Sequence, residues 1–168
     1  ALVMKDCKLE RTARGIINAF CGCAGERCMA LPAIAVEEEI ADELVAMLKE
    51  FALEINLGAA YEKDTGMGPV INQGHLDFVS EWIQTGIDEG ATVVLDGRNP
   101  EMPDDLKDGF FIAPTILDHV TEDMAVGREE IFGPVLCIKR VKDFEEGLTI
   151  MNNSRFANGS VIYTQNGY

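Results

Sequence analysis

The sequence predicts an α/β fold in which helices flank a layered, largely parallel sheet. Four stretches repeat apolar residues at helical spacing, short apolar runs lie between them, and the two kinds of pattern alternate along the chain. Such alternation is typical of domains in which a helix connects each strand to a parallel neighbour. The length of 168 residues fits one such domain.

Two helical stripes and two short strands are predicted in the first part of the chain. Residues 2–4 form a short apolar strand, and a helix follows on which four apolar residues share one face (Ala13, Ile16, Ile17, Phe20). A buried strand is expected near Ala33–Val36. Glu37–Glu39 then place negative charge at the start of a second helix, whose apolar stripe reaches Ile55 and which Gly58 should stop.

The second part of the chain is predicted to add two helices and four strands. One helix begins at Gln73 and ends near Gly90. The last helix should begin at a capping box, because Asp143 is followed three residues later by Glu146. Strands are expected over residues 91–97, 110–117, 135–141 and 159–164.

Composition restricts the classes of partner. A hydrophobic share of 47% supplies enough material for a core. The chain carries 14 basic and 29 acidic residues, a net charge of −15, and nucleic acid and anionic membrane surfaces would repel it. No apolar run approaches the roughly 20 residues that span a bilayer. We expect neither nucleic acid nor membrane as a partner.

Five cysteines point to a reducing compartment rather than to disulfides. Their number is odd and the chain is longer than a small disulfide-stapled scaffold, so free thiols in the cytoplasm, or in the mitochondrial matrix of a eukaryote, are expected. Cys21, Cys23 and Cys28 lie close together, but no second ligand pair accompanies them, so we expect no metal site. Cys21 and Cys23 are predicted to be small buried hydrophobes.

Cys28 has surroundings of a different kind. Gly25 permits a tight backbone path close to a ligand, and Arg27 adds positive charge beside the sulfur, which favours the thiolate. A buried packing residue and a nucleophile both remain open on these grounds.

Two motifs decide between these interpretations. The segment Phe-Cys-Gly-Cys-Ala-Gly-Glu-Arg-Cys-Met-Ala-Leu (20–31) resembles the nucleophile region of the aldehyde dehydrogenase superfamily, and Glu-Glu-Ile-Phe-Gly-Pro-Val-Leu (129–136) resembles its Glu-x-Phe-Gly-Pro signature. Both occur in the family's order, and the resemblance extends over essentially the whole chain. Cys-Met-Ala after Gly-Glu-Arg is most similar to the CoA-acylating branch, which acts on malonate and methylmalonate semialdehydes.

The resemblance implies a role for four residues. Cys28 would be the nucleophile that forms a thiohemiacetal and then a thioester while NAD takes up the hydride. Arg27 would bind the carboxylate of the semialdehyde with two hydrogen bonds, whereas by residue type alone it is equally a cation at the surface or the edge of the core that pairs with a carboxylate of the protein. Glu130 would bond the hydroxyls of the nicotinamide ribose, and Phe132 would lie against the nicotinamide. Coenzyme A would accept the acyl group.

The resemblance also implies that residues 1–168 are a catalytic-domain fragment. The dinucleotide-binding domain would lie upstream and would act as a partner, and the part that completes a homo-oligomer would follow. The general base and the oxyanion asparagine would both lie outside the chain. A hydrolytic enzyme that passes the acyl group to water is one alternative. A non-catalytic α/β module is the other, and we expect the isolated fragment to be inactive or nearly so.

Overall fold

The computed structural model describes residues 1–156 and 158–167, and within these ranges the chain forms one six-stranded sheet. The strands are β1 (Leu2–Val3), β2 (Ala33–Glu37), β3 (Thr92–Leu95), β4 (Thr115–Asp118), β5 (Val135–Val141) and β6 (Ile162–Tyr163). Their order across the sheet is β3-β4-β5-β2-β1-β6, and only the β3–β4 pair is antiparallel. The predicted α/β class with a largely parallel sheet is confirmed.

Four α-helices accompany the sheet in the described part of the chain. They are α1 (Leu9–Cys21), α2 (Glu38–Leu53), α3 (Gln73–Asp88) and α4 (Phe144–Asn153). The predicted cap of α4 is present, since Asp143 Oδ1 accepts from the backbone N–H of Glu146 at 3.0 Å. None of the helices in residues 1–156 and 158–167 has the length and apolar character needed to cross a membrane.

The helices cover both faces of the sheet. The larger core combines the apolar stripes of α1 and α2, including Phe20 and Leu44, with strand residues such as Val36 and Ile138. Burial of these side chains supplies the main driving force for folding. A smaller cluster lies on the opposite face, where Leu2, Ala35 and Val141 pack with Ile150 and Met151 of α4. Neighbouring residues of β1 and β2 thus face different layers, as the two-residue period of a strand requires.

Several elements are shorter than their apolar patterns predict. Helix α2 ends at Leu53, and Ile55 packs on the core from outside it. The expected strand over 110–117 begins only at Thr115, because Pro114 has no N–H to donate. Backbone groups of 110–113 instead bond to loops, as when the Ala113 N–H donates to the Gly97 carbonyl at 2.8 Å. The strand expected over 159–164 is confined to β6.

Parallel topology places three loops at one edge of the sheet. The segments that lead into β2, β5 and β6 each precede a strand that runs in the same direction as its neighbours. The amino-terminal ends of parallel strands share an edge, so these loops lie together. Two of them carry the motifs singled out in the sequence.

Candidate active site

A cavity of about 500 Å³ lies at the amino-terminal edge of the parallel strands. Its walls include residues of β2 and β5 and part of α4, so it opens on the face of the sheet that α4 covers. All four predicted site residues line it: Arg27, Cys28, Glu130 and Phe132. The fold therefore brings together two motifs that are about a hundred residues apart in the sequence.

Cys28 lies on a tight turn and its side chain is exposed. The turn is closed by a hydrogen bond of 3.0 Å from the Ala30 N–H to the Arg27 carbonyl. The carbonyl of Cys28 itself accepts from Asn158 Nδ2 at 2.8 Å. Two segments 130 residues apart thus fix the peptide that carries the thiol.

Two of the other cysteines differ from Cys28 in burial. Cys21 and Cys137 are buried, and desolvation raises the pKa of each thiol to about 12. The prediction that Cys23 is buried is wrong, because its side chain is exposed. The chain leaves α1 through a left-handed turn, with φ of 53° at Cys23 and 52° at Ala24, so the helical periodicity stops before this residue. Across residues 1–156 and 158–167, no group of three or more potential ligands is placed to hold a metal ion.

Gly25 and Gly133 join the two motifs through direct backbone contact. Gly25 has φ of +72°, and a Cβ atom there would lie well inside 3.0 Å of the Gly133 carbonyl. On its other side Gly133 accommodates α3, since a Cβ at Gly133 would lie 2.7 Å from a methyl of Val79. Glycine at both positions lets the two loops touch without side chains between them.

Phe132 adopts a backbone conformation that is rare for an aromatic residue. Its φ is +56°, a left-handed value that costs roughly 1–3 kcal/mol. Its carbonyl accepts from His75 Nε2 at 2.8 Å, and its side chain is 39% exposed at the cavity. The same His75 Nε2 lies 3.3 Å from Glu26 Oε1 on the nucleophile loop.

Arg27 lines the cavity, and in residues 1–156 and 158–167 its side chain bonds only backbone oxygens. Its Nη2 donates to the carbonyls of Asn18 and Ala19, each at 3.0 Å, near the carboxyl end of α1. Its Nε is buried and has no hydrogen-bond partner in residues 1–156 and 158–167. The guanidinium lies directly over Gly22, where a Cβ would approach to 2.7 Å. Substrate binding by Arg27 stays a prediction.

Two acidic residues, Glu129 and Glu130, also line the cavity. Glu130 is exposed and lines the cavity, and Glu129 forms an ion pair with Arg155. Because Arg155 and Asn158 belong to the segment before β6, this segment contacts both motif loops. The cofactor-binding roles of Glu130 and Phe132 likewise stay predictions.

Three residues that hold the loops of the site were not predicted to have a role in it: Glu26, His75 and Asn158. Glu26 and Asn158 lie within segments that resemble the family, but a motif does not reveal what a side chain bonds. His75 lies 57 residues from Phe132, and neither periodicity nor composition indicates the contact. Only the fold shows that these side chains hold the two loops.

Comparison with known proteins identifies the family to which the chain is similar. The family model for the aldehyde dehydrogenase family matches residues 1–168. A malonate-semialdehyde dehydrogenase of Bacillus licheniformis is 46% identical over 167 residues, which are 99% of this chain and 34% of that protein. One of Bacillus cereus is 44% identical, with the same coverage of 99% and 34%. The chain therefore spans about a third of the length of the curated relatives it matches.

Solved structures agree with this assignment. A methylmalonate-semialdehyde dehydrogenase from Oceanimonas doudoroffii superposes with a TM-score of 0.95 at 34% identity, covering 99% of this chain and 34% of that one. A betaine aldehyde dehydrogenase from Staphylococcus aureus, in complex with NAD+, gives 0.94 at 29% identity, with coverage of 98% and 33%. The match over every residue, with the thiol and the signature loop at one cavity, shows that this chain belongs to the aldehyde dehydrogenase family.

Proposed function

We propose that the protein containing this chain oxidises malonate or methylmalonate semialdehyde with NAD, using Cys28 as the nucleophile. The observation that carries the proposal is the exposed Cys28 thiol at a cavity shared with Glu130 and Phe132. The identity of 46% to a malonate-semialdehyde dehydrogenase supports the substrate class.

Cys28 is suited to attack an aldehyde. The thiolate adds to the carbonyl carbon, a C–S bond forms, and the carbonyl oxygen becomes an oxyanion that is protonated to give a thiohemiacetal. The backbone N–H of Cys28 donates to no acceptor in the described part of the chain, so it is available to that oxygen. Asn158 fixes the carbonyl of the same residue and so limits rotation of the turn.

The residues at the signature loop fit a nicotinamide cofactor. Glu130 offers an exposed carboxylate, which can accept hydrogen bonds from ribose hydroxyls, and Phe132 offers an aromatic surface at the same cavity. When bound, NAD supplies the two-electron oxidant for the aldehyde carbon. The residues of this chain would hold the nicotinamide ring beside the Cys28 thiol and retain the acyl group on Cys28 as a thioester.

Arg27 is proposed to bind the carboxylate of the substrate. Three other basic residues line the cavity. Lys139 and Arg155 are paired with Glu122 and Glu129, whereas Arg128, like Arg27, has no carboxylate partner in residues 1–156 and 158–167, so the choice of Arg27 rests on its place in the motif. Arg27 has no carboxylate within 4.0 Å in residues 1–156 and 158–167, and its Nε is without a partner. A guanidinium bonded only to neutral carbonyls retains its charge for an anionic ligand.

Coenzyme A is the proposed acceptor of the acyl group. A thioester on Cys28 is open to exchange with a second thiol, which leaves the first sulfur as thiolate. Water could take the same acyl group in a hydrolytic enzyme. The names of the relatives describe the aldehyde and not the acceptor. The identity of the product, acyl-CoA or free acid, therefore distinguishes the two acceptors.

Further parts of the protein are proposed from the coverage of the relatives. The chain corresponds to 34% of their length, and we infer that a dinucleotide-binding domain of the same protein completes the NAD site. A homo-oligomer is the proposed assembly of the full-length protein.

The test is turnover of the full-length protein with NAD and malonate semialdehyde, with and without coenzyme A. We expect NADH to form and the product to be an acyl-CoA. Cys28→Ala should abolish turnover, whereas Cys23→Ala, an exposed cysteine of the same loop, should retain it. NADH formation that survives Cys28→Ala would contradict the proposal, and free acid as the product would identify the hydrolytic alternative.

A further inference from the structure

We propose that His75 is a positioning residue that sets the affinity for the nicotinamide cofactor by holding the Phe132 peptide. It does so through a hydrogen bond to the Phe132 carbonyl, and it links that peptide to Glu26 on the nucleophile loop. The proposal rests on the proposed function, in which Phe132 contacts NAD.

The bonding pattern fixes the role of the imidazole. A carbonyl oxygen can only accept, so His75 Nε2, at 2.8 Å from the Phe132 oxygen, must carry the hydrogen. Glu26 Oε1 lies 3.3 Å from the same nitrogen and also accepts from the Ile71 N–H at 3.2 Å. The side chains of His75 and Glu26 are 19% and 16% exposed, so most of each side chain is covered by protein.

His75 occupies a fixed place on α3. The N-cap of the helix is Asn72, whose Oδ1 accepts from the His75 backbone N–H at 2.9 Å. One turn further along, Val79 packs against Gly133, the residue after Phe132. Residues four apart lie on the same face of a helix, so α3 supports this loop with one polar and one apolar contact.

Phe132 requires such support. A left-handed φ at an aromatic residue persists only where the surroundings determine it. Gly25 and Val79 constrain the neighbouring Gly133, but among the described residues the side-chain bond to the Phe132 carbonyl comes from His75. Without it, the peptide can rotate toward negative φ, and the exposed ring then leaves its position at the cavity.

Cofactor affinity should therefore depend on the donor at position 75. His75→Leu removes the donor, and His75→Asn replaces it with an amide too short to reach the carbonyl. His75→Gln places an N–H near the original Nε2. In the full-length protein, loss of one such bond should weaken NAD binding about tenfold in the first two variants and by no more than about threefold in the third.

The measurements are the dissociation constant for NAD from a fluorescence titration, KM values for NAD and for the semialdehyde, and the melting temperature. We expect the KM for NAD to rise more than the KM for the aldehyde, with kcat at saturating NAD changed less. Glu81→Leu, on an exposed position of α3, is the matched control and should leave NAD affinity unchanged. His75→Asn retains polarity should His75→Leu fail to fold.

A double-mutant cycle with Phe132→Gly separates positioning from general stability. Glycine removes both the ring and the backbone strain, so His75→Leu should cost little further NAD affinity in that background. The proposal is overturned if both non-donor variants bind NAD within about twofold of the wild type, if His75→Gln loses as much affinity as they do, or if the two losses add. Failure of the wild-type protein to bind NAD would instead refute the proposed function.

Discussion

Replacement of Gly25 by alanine tests whether direct backbone contact joins the two loops of the site. An alanine there has to adopt φ of +72°, and its Cβ has to occupy space taken by the Gly133 carbonyl. The left-handed conformation costs about 1–2 kcal/mol for a residue with a Cβ. Overpacking of a close contact costs about 1–3 kcal/mol more. We expect Gly25→Ala to lower the free energy of unfolding by about 2–5 kcal/mol.

Gly90→Ala provides the matched control. Gly90 also has a positive φ, +101°, but a Cβ there would meet nothing within 4 Å. This variant should therefore incur only the conformational cost, about 1–2 kcal/mol. The difference between the two variants isolates the contact with Gly133.

Thermal unfolding followed by circular dichroism measures the difference. In a domain of this size each kcal/mol shifts Tm by about 2–4 °C, so Gly25→Ala should lower Tm by roughly 10 °C and Gly90→Ala by about half of that or less. The labelling rate of Cys28 by limiting iodoacetamide should change in Gly25→Ala alone, because its turn follows Gly25 directly. Equal effects of the two variants on Tm and on labelling would refute the contact as the link between the motifs.

Three further predictions concern the thiol and its neighbours. Limiting iodoacetamide should label Cys28 well before Cys21 and Cys137. The pKa of each buried thiol is raised from 9.0 to about 12, which lowers its thiolate fraction about a thousandfold. Equal labelling of the three cysteines in mass spectrometry would contradict this prediction. Asn158→Ala should lower kcat about fivefold with little change in Tm, since it frees the Cys28 carbonyl, and an unchanged kcat would exclude a positioning role. Arg27→Lys should raise the KM for a carboxylated semialdehyde about tenfold but not that for an uncharged aldehyde, and equal effects on both substrates would argue against carboxylate binding.

Periodicity predicts the scaffold because apolar burial decides it. The stripes of the four helices and the buried strands β2 and β5 follow directly from apolar spacing. The predicted ends of helices and strands are wrong where backbone conformation, and not side-chain burial, sets the end of the element. The left-handed turn at Cys23 exposes a residue that composition predicts to be buried, and Pro114 delays β4.

Only part of the candidate site is likewise predictable from the sequence. Resemblance identifies the groups that would react or bind, such as Cys28 and Glu130, because those residue types belong to short motifs. It does not identify the groups that hold them. His75 and Asn158 act on backbone carbonyls of distant loops, and a carbonyl is present at every residue, so no sequence pattern marks the pairing. The sequence does not predict the positive φ of Phe132 either, since aromatic residues seldom adopt it.

The two edges of the parallel sheet differ in the groups that lie at them. In open α/β sheets ligands usually bind beyond the carboxyl ends of the strands. In this chain Arg140, near the carboxyl end of β5, bonds Asp118 at 2.8 Å, Glu38 at 2.9 Å and Asp42 at 2.7 Å, so that edge is occupied by the protein's own ion pairs.

The amino-terminal edge is built from loops held largely through their backbones, which leaves side chains free. Its geometry depends on the register of β2 with β5, in which Ala33 lies opposite Cys137. A slip of one residue would turn every side chain of the strand to the other face and would move the loop of Cys28 about 3.3 Å along the loop of Phe132. Gly25 and Gly133 could then no longer meet. The strand register that buries Ile34 and Val36 therefore also fixes the distance between the thiol and the signature loop.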